Sequence, residues 1–341
     1  MASILKVRTM TKLHVLLAAS ALLATASVAL ADDKIRILCP TWPGFAPIHA
    51  ARDLGYFKEE GLEVDVKFED DRANVMAAMA RGDIDMDLRT VGEHQGRPRD
   101  EKTPGVIIGT IDQSLGGDGV IADASIKSAA DLKGKTVAAE INIPARLILQ
   151  LKLKAAGLTL KDLKIKDIAT ADTAAVFSDK SISAVATYEP FMSQSLKSSG
   201  RDGATMLFSS KDTPGLITDI ISVQQSDLAA NPEKYRKFLR GIYRAIDYSR
   251  KEPRKYAELV APAFNLKPED IEDVVKGSIA YTTYEDAAAY MGKPGATGKL
   301  HEIFDTVMLL NLENGAADTK LVATQQINNT VIDKLFDGKK R

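Results

Sequence analysis

Two arginines stand in segments that are predicted to leave the ends of strands. Arg89 opens the segment RTVGEH and Arg146 closes the segment EINIPAR. A guanidinium offers a planar set of donors that fits a carboxylate, phosphate or sulfonate group. We therefore predict that Arg89 and Arg146 are the leading contacts to an anionic ligand, and the alternative is that they are surface arginines in ordinary salt bridges.

A third loop, TWPGFAP, holds Trp42, the only tryptophan of the chain. It lies between the first predicted strand and a short helix, whose N-terminal N–H groups favour a negative group nearby. The Trp42 indole could form an apolar wall of a binding site, although Trp42 and Phe45 are as readily interpreted as core residues. Such a loop, at the carboxyl end of a strand in an open sheet, is where ligands bind.

The acids Glu189 and Asp219 are candidates to hold an ammonium on the same molecule. A zwitterion such as taurine satisfies both the acids and the arginines. An alkanesulfonate, a carboxylate, nitrate or a pyrimidine precursor remains open, and aromatic stacking from Trp42 or Tyr188 favours the pyrimidine.

The sequence gives little indication of a metal site, a nucleic-acid-binding site or a catalytic site. Asp83, Asp85 and Asp87 alternate with apolar residues without a clustered histidine or cysteine, which predicts a solvated strand face and no metal site. A formal net charge of -1 and the lack of a basic, aromatic-rich block argue against nucleic acid. The nucleophile elbow, the zinc-protease motif and the P-loop are missing from the sequence, and His94 is interpreted as a ligand contact or rim residue rather than an acid or base.

The elements that must position these residues follow an α/β plan of short apolar runs alternating with helical periodicity. The first strand covers Ile35 to Cys39, with Cys39 expected to be buried. Asp71 is predicted to cap a helix that ends at Gly82. The SLGGDG segment, Ser114 to Gly119, is the first expected crossing between two lobes, and LITDIISV, Leu216 to Val223, is expected to return the chain.

The first residues indicate export. Basic residues precede an apolar stretch from about Leu13 to Leu30, and Ala29-Leu30-Ala31 forms an A-x-A site. We predict a secretory signal cleaved after Ala31, with an uncleaved membrane anchor as the alternative. The single cysteine predicts a fold that is stabilised by its core rather than by disulfides.

The sequence also resembles the type II periplasmic substrate-binding proteins of ABC transporters, in the nitrate/sulfonate/taurine and thiamine-pyrimidine-precursor group. The resemblance covers nearly all of the chain after the signal and rests on five segments in the family's order: PIHAARDLGYFKEEGLEVDV, MARGDIDMDL, SIKSAADLKGKTVA, AVATYEPF and NPEKYRKFLRGIYRAI. It departs from the family pattern at Lys180 and Ser183, where a glycine and an aspartate are usual.

This resemblance implies a two-lobed clamp, each lobe a mixed sheet flanked by helices, with two crossing strands at the hinge. It implies lobe 1 at residues 32–118 and 221–341, lobe 2 at residues 119–220, and a signal peptide at residues 1–31. It also implies a ligand pocket between the lobes, with these residues: Trp42, Pro43, Gly44, Arg89, Thr90, Asn142, Pro144, Arg146, Tyr188, Glu189 and Asp219.

The function expected from the sequence is that of a monomeric periplasmic solute receptor that delivers a small organic anion or zwitterion to an ABC permease. It needs no cofactor and is not an enzyme, since the pyrimidine-forming enzymes of the resembled group use a cysteine-rich motif that this chain lacks. The alternatives are a binder of a pyrimidine or of nitrate, a secreted sensor module, and an enzyme on the same fold. A neighbouring permease gene would favour transport, and a neighbouring receptor kinase gene would favour sensing.

Overall fold

A computed structural model describes residues 33–96, 105–339 and 341. The strands in these residues are β1 (Asp33–Cys39), β2 (Leu62–Phe68), β3 (Met86–Thr90), β4 (Val106–Ser114), β5 (Asp118–Ala122), β6 (Thr136–Ala138), β7 (Lys164–Lys166), β8 (Ala184–Tyr188), β9 (Thr205–Ser209), β10 (Thr218–Val223) and β11 (Ile279–Tyr281). The helices are α1 (Ala46–Asp53), α2 (Tyr56–Glu59), α3 (Arg72–Arg81), α4 (Val91–Gln95), α5 (Pro144–Ala155), α6 (Thr173–Ser178), α7 (Phe191–Ser198), α8 (Gln225–Ala230), α9 (Pro232–Lys251), α10 (Pro253–Val260), α11 (Pro268–Ser278), α12 (Tyr284–Met291), α13 (Lys299–Asn314) and α14 (Ala323–Gln326).

The strands form two mixed sheets. Sheet 1 has the order β11-β4-β10-β3-β1-β2, and sheet 2 has the order β7-β6-β8-β5-β9. β1 is parallel to both β2 and β3, whereas β10 is antiparallel to β3 and β4. The chain passes from sheet 1 to sheet 2 between β4 and β5 and returns between β9 and β10, which are the two crossings expected from the sequence.

Each sheet has its own core. In sheet 2, adjacent residues of β5 point to opposite faces, so Val120 packs with Leu149 of α5 while Ile121 packs with Phe177 of α6 and Met192 of α7. In sheet 1 the long helix α9 buries Phe238 and neighbouring apolar residues in the main core. Helices thus cover both faces of sheet 2, and burial of this apolar surface is the main source of stability.

Local predictions at helix ends and at Cys39 are confirmed. The Asp71 carboxylate accepts hydrogen bonds from the backbone N–H groups of Ala73 and Asn74, at 2.8 and 3.3 Å, and so caps α3. Gly82 ends α3 with a φ of 77°, a left-handed conformation that glycine adopts without strain. Cys39 is fully buried, and burial raises the pKa of its thiol to about 12.

The prediction of a solvated acidic face is wrong for Asp87 and Arg89 of β3, whereas Asp83, which precedes β3, is exposed. All five residues of β3 are buried, including Asp87 and Arg89, which are 0% and 3% exposed. The reason is that β3 lies inside sheet 1 between β1 and β10, where alternation no longer separates a wet face from a dry one. The buried charges are compensated, because an Asp87 carboxylate oxygen lies 3.7 Å from the Arg89 guanidinium.

His49 on α1 is a source of acid sensitivity. Its ring lies between those of Phe68 and Phe264, with centroids 5.1 and 5.7 Å away, and neither ring nitrogen has a hydrogen-bond partner among the described residues. Burial lowers the pKa of His49 to about 4 from an ordinary 6.5. The unfolded chain therefore binds this proton at higher pH than the folded chain, and stability is lost as the pH falls from about 6.5 to about 4.

We expect His49→Phe to be more stable than the parent chain by about 1–3 kcal/mol near pH 4.5, with a smaller difference at pH 8. Urea unfolding followed by circular dichroism at the two pH values measures both differences. If the difference in the free energy of unfolding between His49→Phe and the parent chain were the same at both pH values, His49 would not titrate in this way.

None of the helices in the described part of the chain combines the length and the apolar composition needed to cross a bilayer. The predicted signal at residues 1–31 lies outside the described residues.

Candidate ligand-binding site

A cavity lies between the two sheets, beside the two chain crossings. It contains about 300 Å³ of unoccupied space, part of which is open to solvent. Sheet 1 and its loops contribute six of the lining residues and sheet 2 contributes three. The residues are Pro40, Trp42, Phe45, Thr90, Glu93 and Asp219 from the first group, and Asp118, Pro144 and Tyr188 from the second.

The Trp42 indole is held in one orientation as a wall of this cavity. Its Nε1 donates to a carboxylate oxygen of Asp112 at 3.4 Å, and its ring meets that of Tyr188 edge to face, with centroids 6.2 Å apart. Two glycines make room for it. A Cβ on Gly44 would lie 2.0 Å from Trp42 Nε1, and a Cβ on Gly117 would lie 2.3 Å from Trp42 Cη2, so neither position has space for a side chain.

Thr90 and Glu93 are placed by the start of α4. The Thr90 hydroxyl accepts a hydrogen bond from the Glu93 backbone at 3.2 Å, and a Glu93 carboxylate oxygen accepts one from the Thr90 backbone at 3.0 Å. This capping box follows directly from the T-x-x-E spacing. The other Glu93 oxygen lies 3.4 Å from Arg72 and 3.7 Å from Arg89, so the carboxylate is compensated from outside the cavity.

Asp118, Asp112 and Asp219 form a cluster of buried carboxyl groups on the crossing strands. Asp219 of β10 pairs in register with Asp112 of β4 and with Thr90 of β3. Burial raises the pKa of Asp118 to about 8. Burial and repulsion by Asp112 raise the pKa of Asp219 well above its ordinary value, and burial also raises the pKa of Asp112. The cavity is thus acidic, and burial favours the protonated form of these carboxyl groups.

The two predicted arginines do not line this cavity. Arg89 is buried. Burial lowers its pKa, but Glu93 and Asp87 together outweigh this and raise the pKa above its ordinary value. Arg89 and Asn142 line a neighbouring cavity, and Asn142, with a left-handed φ of 66°, donates to the Glu93 carbonyl at 3.3 Å. Arg146 lines a third cavity, beside Lys154 and Glu313.

The other predicted residues have structural partners. The Pro43 carbonyl accepts a hydrogen bond from the Tyr281 hydroxyl at 2.8 Å. The Glu189 carboxylate is buried and accepts hydrogen bonds from the Ser193 backbone and hydroxyl, at 3.2 and 2.8 Å, at the start of α7. His94 packs on the core side, where its Nε2 lies 3.1 Å from the Gln326 side-chain oxygen.

Several residues of the site escaped prediction. Asp118 lies in SLGGDG, for which the sequence predicts only a crossing, and Asp112 lies near the end of β4, where no site residue is predicted from the sequence. An acid that interrupts an apolar crossing strand was the available signal, because an isolated buried carboxylate is costly and therefore informative. Pro40 and Glu93 carried no comparable signal.

Comparison with known proteins places the chain in a family. A family model described as NMT1/THI5 like matches residues 42–256, which span the cavity residues from Trp42 to Asp219. The chain belongs to the NMT1/THI5-like family. A protein of Brucella abortus (strain 2308) that is named as a binding protein is 24% identical to it over 263 residues, which are 76% of this chain and 81% of that protein.

Two further proteins show the range of this NMT1/THI5-like fold. The 4-amino-5-hydroxymethyl-2-methylpyrimidine phosphate synthase of Aspergillus parasiticus is 27% identical over 241 residues, covering 66% of this chain and 69% of the synthase. The crystal structure of the periplasmic aliphatic sulphonate binding protein SsuA from Escherichia coli is similar, with a TM-score of 0.70 at 17% identity over 87% of this chain and 92% of SsuA. The NMT1/THI5-like chain therefore has the two-lobed α/β fold of periplasmic binding proteins.

Proposed function

We propose that this protein is the solute-binding component of an ABC importer, and that its ligand is a small amino-substituted or cationic heteroaromatic ring such as an aminopyrimidine. The observation that carries the proposal is the lining of the cavity between the sheets. Asp118, Asp219 and Glu93 supply carboxyl groups, whereas the described lining residues include neither lysine nor arginine. Trp42 and Tyr188 supply aromatic walls for a flat ring.

The charge of the cavity favours this ligand over the sulfonate or taurine expected from the two arginines. An anion placed beside Asp118 and Asp219 would be repelled by any carboxylate that is ionised, and Arg89 is already engaged by Asp87 and Glu93. A ring that carries N–H donors instead satisfies the buried acceptors. The likeness to SsuA concerns the fold, and the relative from Aspergillus parasiticus is named for an aminopyrimidine product.

Binding is a better account of the site than catalysis. Cys39, the single cysteine of the chain, is fully buried, and its pKa of about 12 makes the thiolate form scarce. The chain therefore lacks a cysteine nucleophile at the cavity. Incubation with an equimolar aminopyrimidine, followed by mass spectrometry, should return the compound unchanged, and any turnover would contradict the binding role.

The proposal includes a location and a partner. Export by the N-terminal segment would put the protein in the periplasm, and a transient complex with an inner-membrane permease would accept the ligand. We retain residues 32–118 and 221–341 as lobe 1, residues 119–220 as lobe 2, and a monomeric state as parts of this proposal. Because the lining residues come from both sheets, ligand contacts would stabilise the closed arrangement.

Trp42 provides a direct test, because it is the only tryptophan in the chain and lines the cavity. Titration of residues 32–341 with 4-amino-5-hydroxymethyl-2-methylpyrimidine should change the tryptophan emission in a saturable way, and the analogue without the amino group should bind at least tenfold more weakly. Taurine, an alkanesulfonate and nitrate serve as comparison ligands. Saturable binding of one of these three, without binding of the aminopyrimidine, would overturn the proposal.

Arg72 on α3 is predicted to hold the cavity closed. It reaches across from sheet 1 to the segment before α5, donating to the Ile141 carbonyl at 2.8 Å and lying 3.1 Å from Glu140, while its Nε lies 3.4 Å from Glu93. We expect Arg72→Gln to weaken ligand binding about tenfold through faster dissociation, since charge-assisted contacts of the closed state are lost.

Stopped-flow tryptophan fluorescence measures the two rate constants for Arg72→Gln. Arg81→Gln is the matched control on the same helix, because Arg81 is exposed and pairs locally with Asp83. Equal dissociation rates for the two variants would show that Arg72 is not a closing contact.

A further inference from the structure

The position of Arg146 in the sequence predicts a ligand contact, yet Arg146 does not line the cavity of the proposed function. It begins a row of hydrogen-bond donors on one face of α5, followed by Gln150 and Lys154 at intervals of four residues. Gln150 donates to the Leu310 carbonyl at 3.2 Å and accepts from Asn314 at 2.8 Å. Lys154 lies 3.0 Å from Glu313, so the second and third members of the row are bonded to α13.

The first member of the row lacks such a partner. Nη1 of Arg146 is buried and has no hydrogen-bond acceptor among the described residues. Burial lowers the pKa of Arg146, and Asp167 offsets this only in part. A buried guanidinium donor without an acceptor is unfavourable, and an oxyanion is the acceptor that fits its planar geometry best.

The space in front of Arg146 can hold such a group. A groove with about 1000 Å³ of unoccupied space, part of it open to solvent, lies beside α5. It is lined by the row on α5, by Glu313 and Asn314 of α13, and by the segment that follows α5. That segment adds Lys161 and an apolar surface of Leu158, Leu160 and Ile165. The three cations of the groove face one acid, Glu313, which already pairs with Lys154.

We infer that this groove is a second ligand site, which binds a small organic oxyanion with an apolar body. The oxyanion accepts hydrogen bonds from Arg146 and is attracted by Lys161, while the apolar body packs on Leu158, Leu160 and Ile165. The site is separate from the acidic cavity in residues and in charge, because none of the residues that line the groove lines that cavity.

Phenyl phosphate is the probe for this site, with inorganic phosphate and phenol as its two halves. We expect phenyl phosphate to raise the thermal midpoint of residues 32–341 in a saturable way, inorganic phosphate to do so more weakly, and phenol to have little effect. The Trp42 emission should stay unchanged, because the groove is not in contact with the indole. A change in Trp42 emission that follows the same titration curve would assign the probe to the acidic cavity and overturn the inference.

The variants Arg146→Gln and Lys152→Gln provide the matched comparison. Both remove one positive charge from α5, but Lys152 pairs with Asp212 outside the groove, at 3.0 Å. Arg146→Gln should lower the affinity for phenyl phosphate at least tenfold and leave the aminopyrimidine affinity, measured by Trp42 emission, unchanged. Lys152→Gln should leave both affinities unchanged. If both variants lowered the affinity for phenyl phosphate equally, the loss of any positive charge on α5 would explain the result. That outcome would contradict a site at Arg146.

Discussion

Replacing Arg89 by methionine is expected to lower the free energy of unfolding by about 3–5 kcal/mol, because it removes the arginine that compensates the buried Asp87 carboxylate and one of the two arginines beside Glu93. Asp87 and Glu93 are 0% and 6% exposed, and each has an oxygen 3.7 Å from the Arg89 guanidinium. The loss would come from folding rather than from ligand contact, since Arg89 does not line the acidic cavity.

Urea unfolding at pH 7 measures this loss, and Arg36→Met is the control. Arg36 pairs with Asp85, the residue before β3, at 2.9 Å, but the Arg36 side chain is 41% exposed, so its removal should cost under about 1 kcal/mol. The double variant Asp87→Asn/Arg89→Met should recover part of the loss, because it also removes the Asp87 charge that Arg89 compensates. If Arg89→Met proved as mild as Arg36→Met while aminopyrimidine binding disappeared, Arg89 would be a ligand contact instead of a structural counterion.

The case of Arg89 shows where sequence patterns stop being informative. The alternation of polar and apolar residues in DIDMDLRT, residues 83–90, correctly predicts a strand. The cap at Asp71 and the end of α3 at Gly82 are likewise local signals, because each depends on a few neighbouring residues. Whether a strand is central or at an edge depends on pairing with β1 and β10, and β10 lies more than 120 residues further along the chain. The sequence of β3 and its immediate neighbours therefore does not predict that Asp87 and Arg89 are buried.

At the candidate site, too, the sequence indicates which residues lie there but not which side chains they contact. The family resemblance implies that Trp42, Thr90, Pro144, Tyr188 and Asp219 are pocket residues, and these five residues line one cavity in the structure. An arginine in such a loop is a candidate for a ligand contact only if no protein carboxylate already holds it, and that depends on tertiary packing. The acidic character of the cavity arises from Asp112, Asp118 and Asp219, which two crossing segments distant in sequence bring together.

Replacing Asp118 by asparagine is expected to weaken a cationic ring ligand by about 10- to 100-fold, since a hydrogen bond to a charged group is worth about 1.5–3 kcal/mol. Asparagine keeps the shape of the side chain but removes its negative charge. Titration of Trp42 emission measures the affinity, and Asp65→Asn is the control because Asp65 is a half-exposed acid on β2, remote from the cavity. Equal affinity in Asp118→Asn and the parent chain would contradict the role of this carboxylate.

The dependence of binding on pH separates Asp118 from a purely steric wall. Because burial raises the pKa of Asp118 to about 8, the free site is largely protonated at pH 6, and a bound cation must displace that proton. With a permanently charged N-methylated aminopyrimidinium, whose own charge does not vary, affinity should rise from pH 6 to pH 9. The rise should be smaller in Asp118→Asn, and identical profiles in variant and parent would exclude proton displacement from Asp118.

The same carboxyl group has the opposite effect on the stability of the free protein. A folded-state pKa of about 8, above the ordinary 3.8, means that the contribution of Asp118 to stability is fully present below about pH 4 and is lost as the pH rises through about 8. Ligand-free Asp118→Asn should therefore be more stable than the parent chain at pH 9, by about 1–3 kcal/mol, and similar to it at pH 4. If Asp118→Asn binds the ligand more weakly and is also more stable in urea at pH 9, the Asp118 carboxyl group serves binding. Replacing a carboxyl group that served only the fold would instead make the protein less stable.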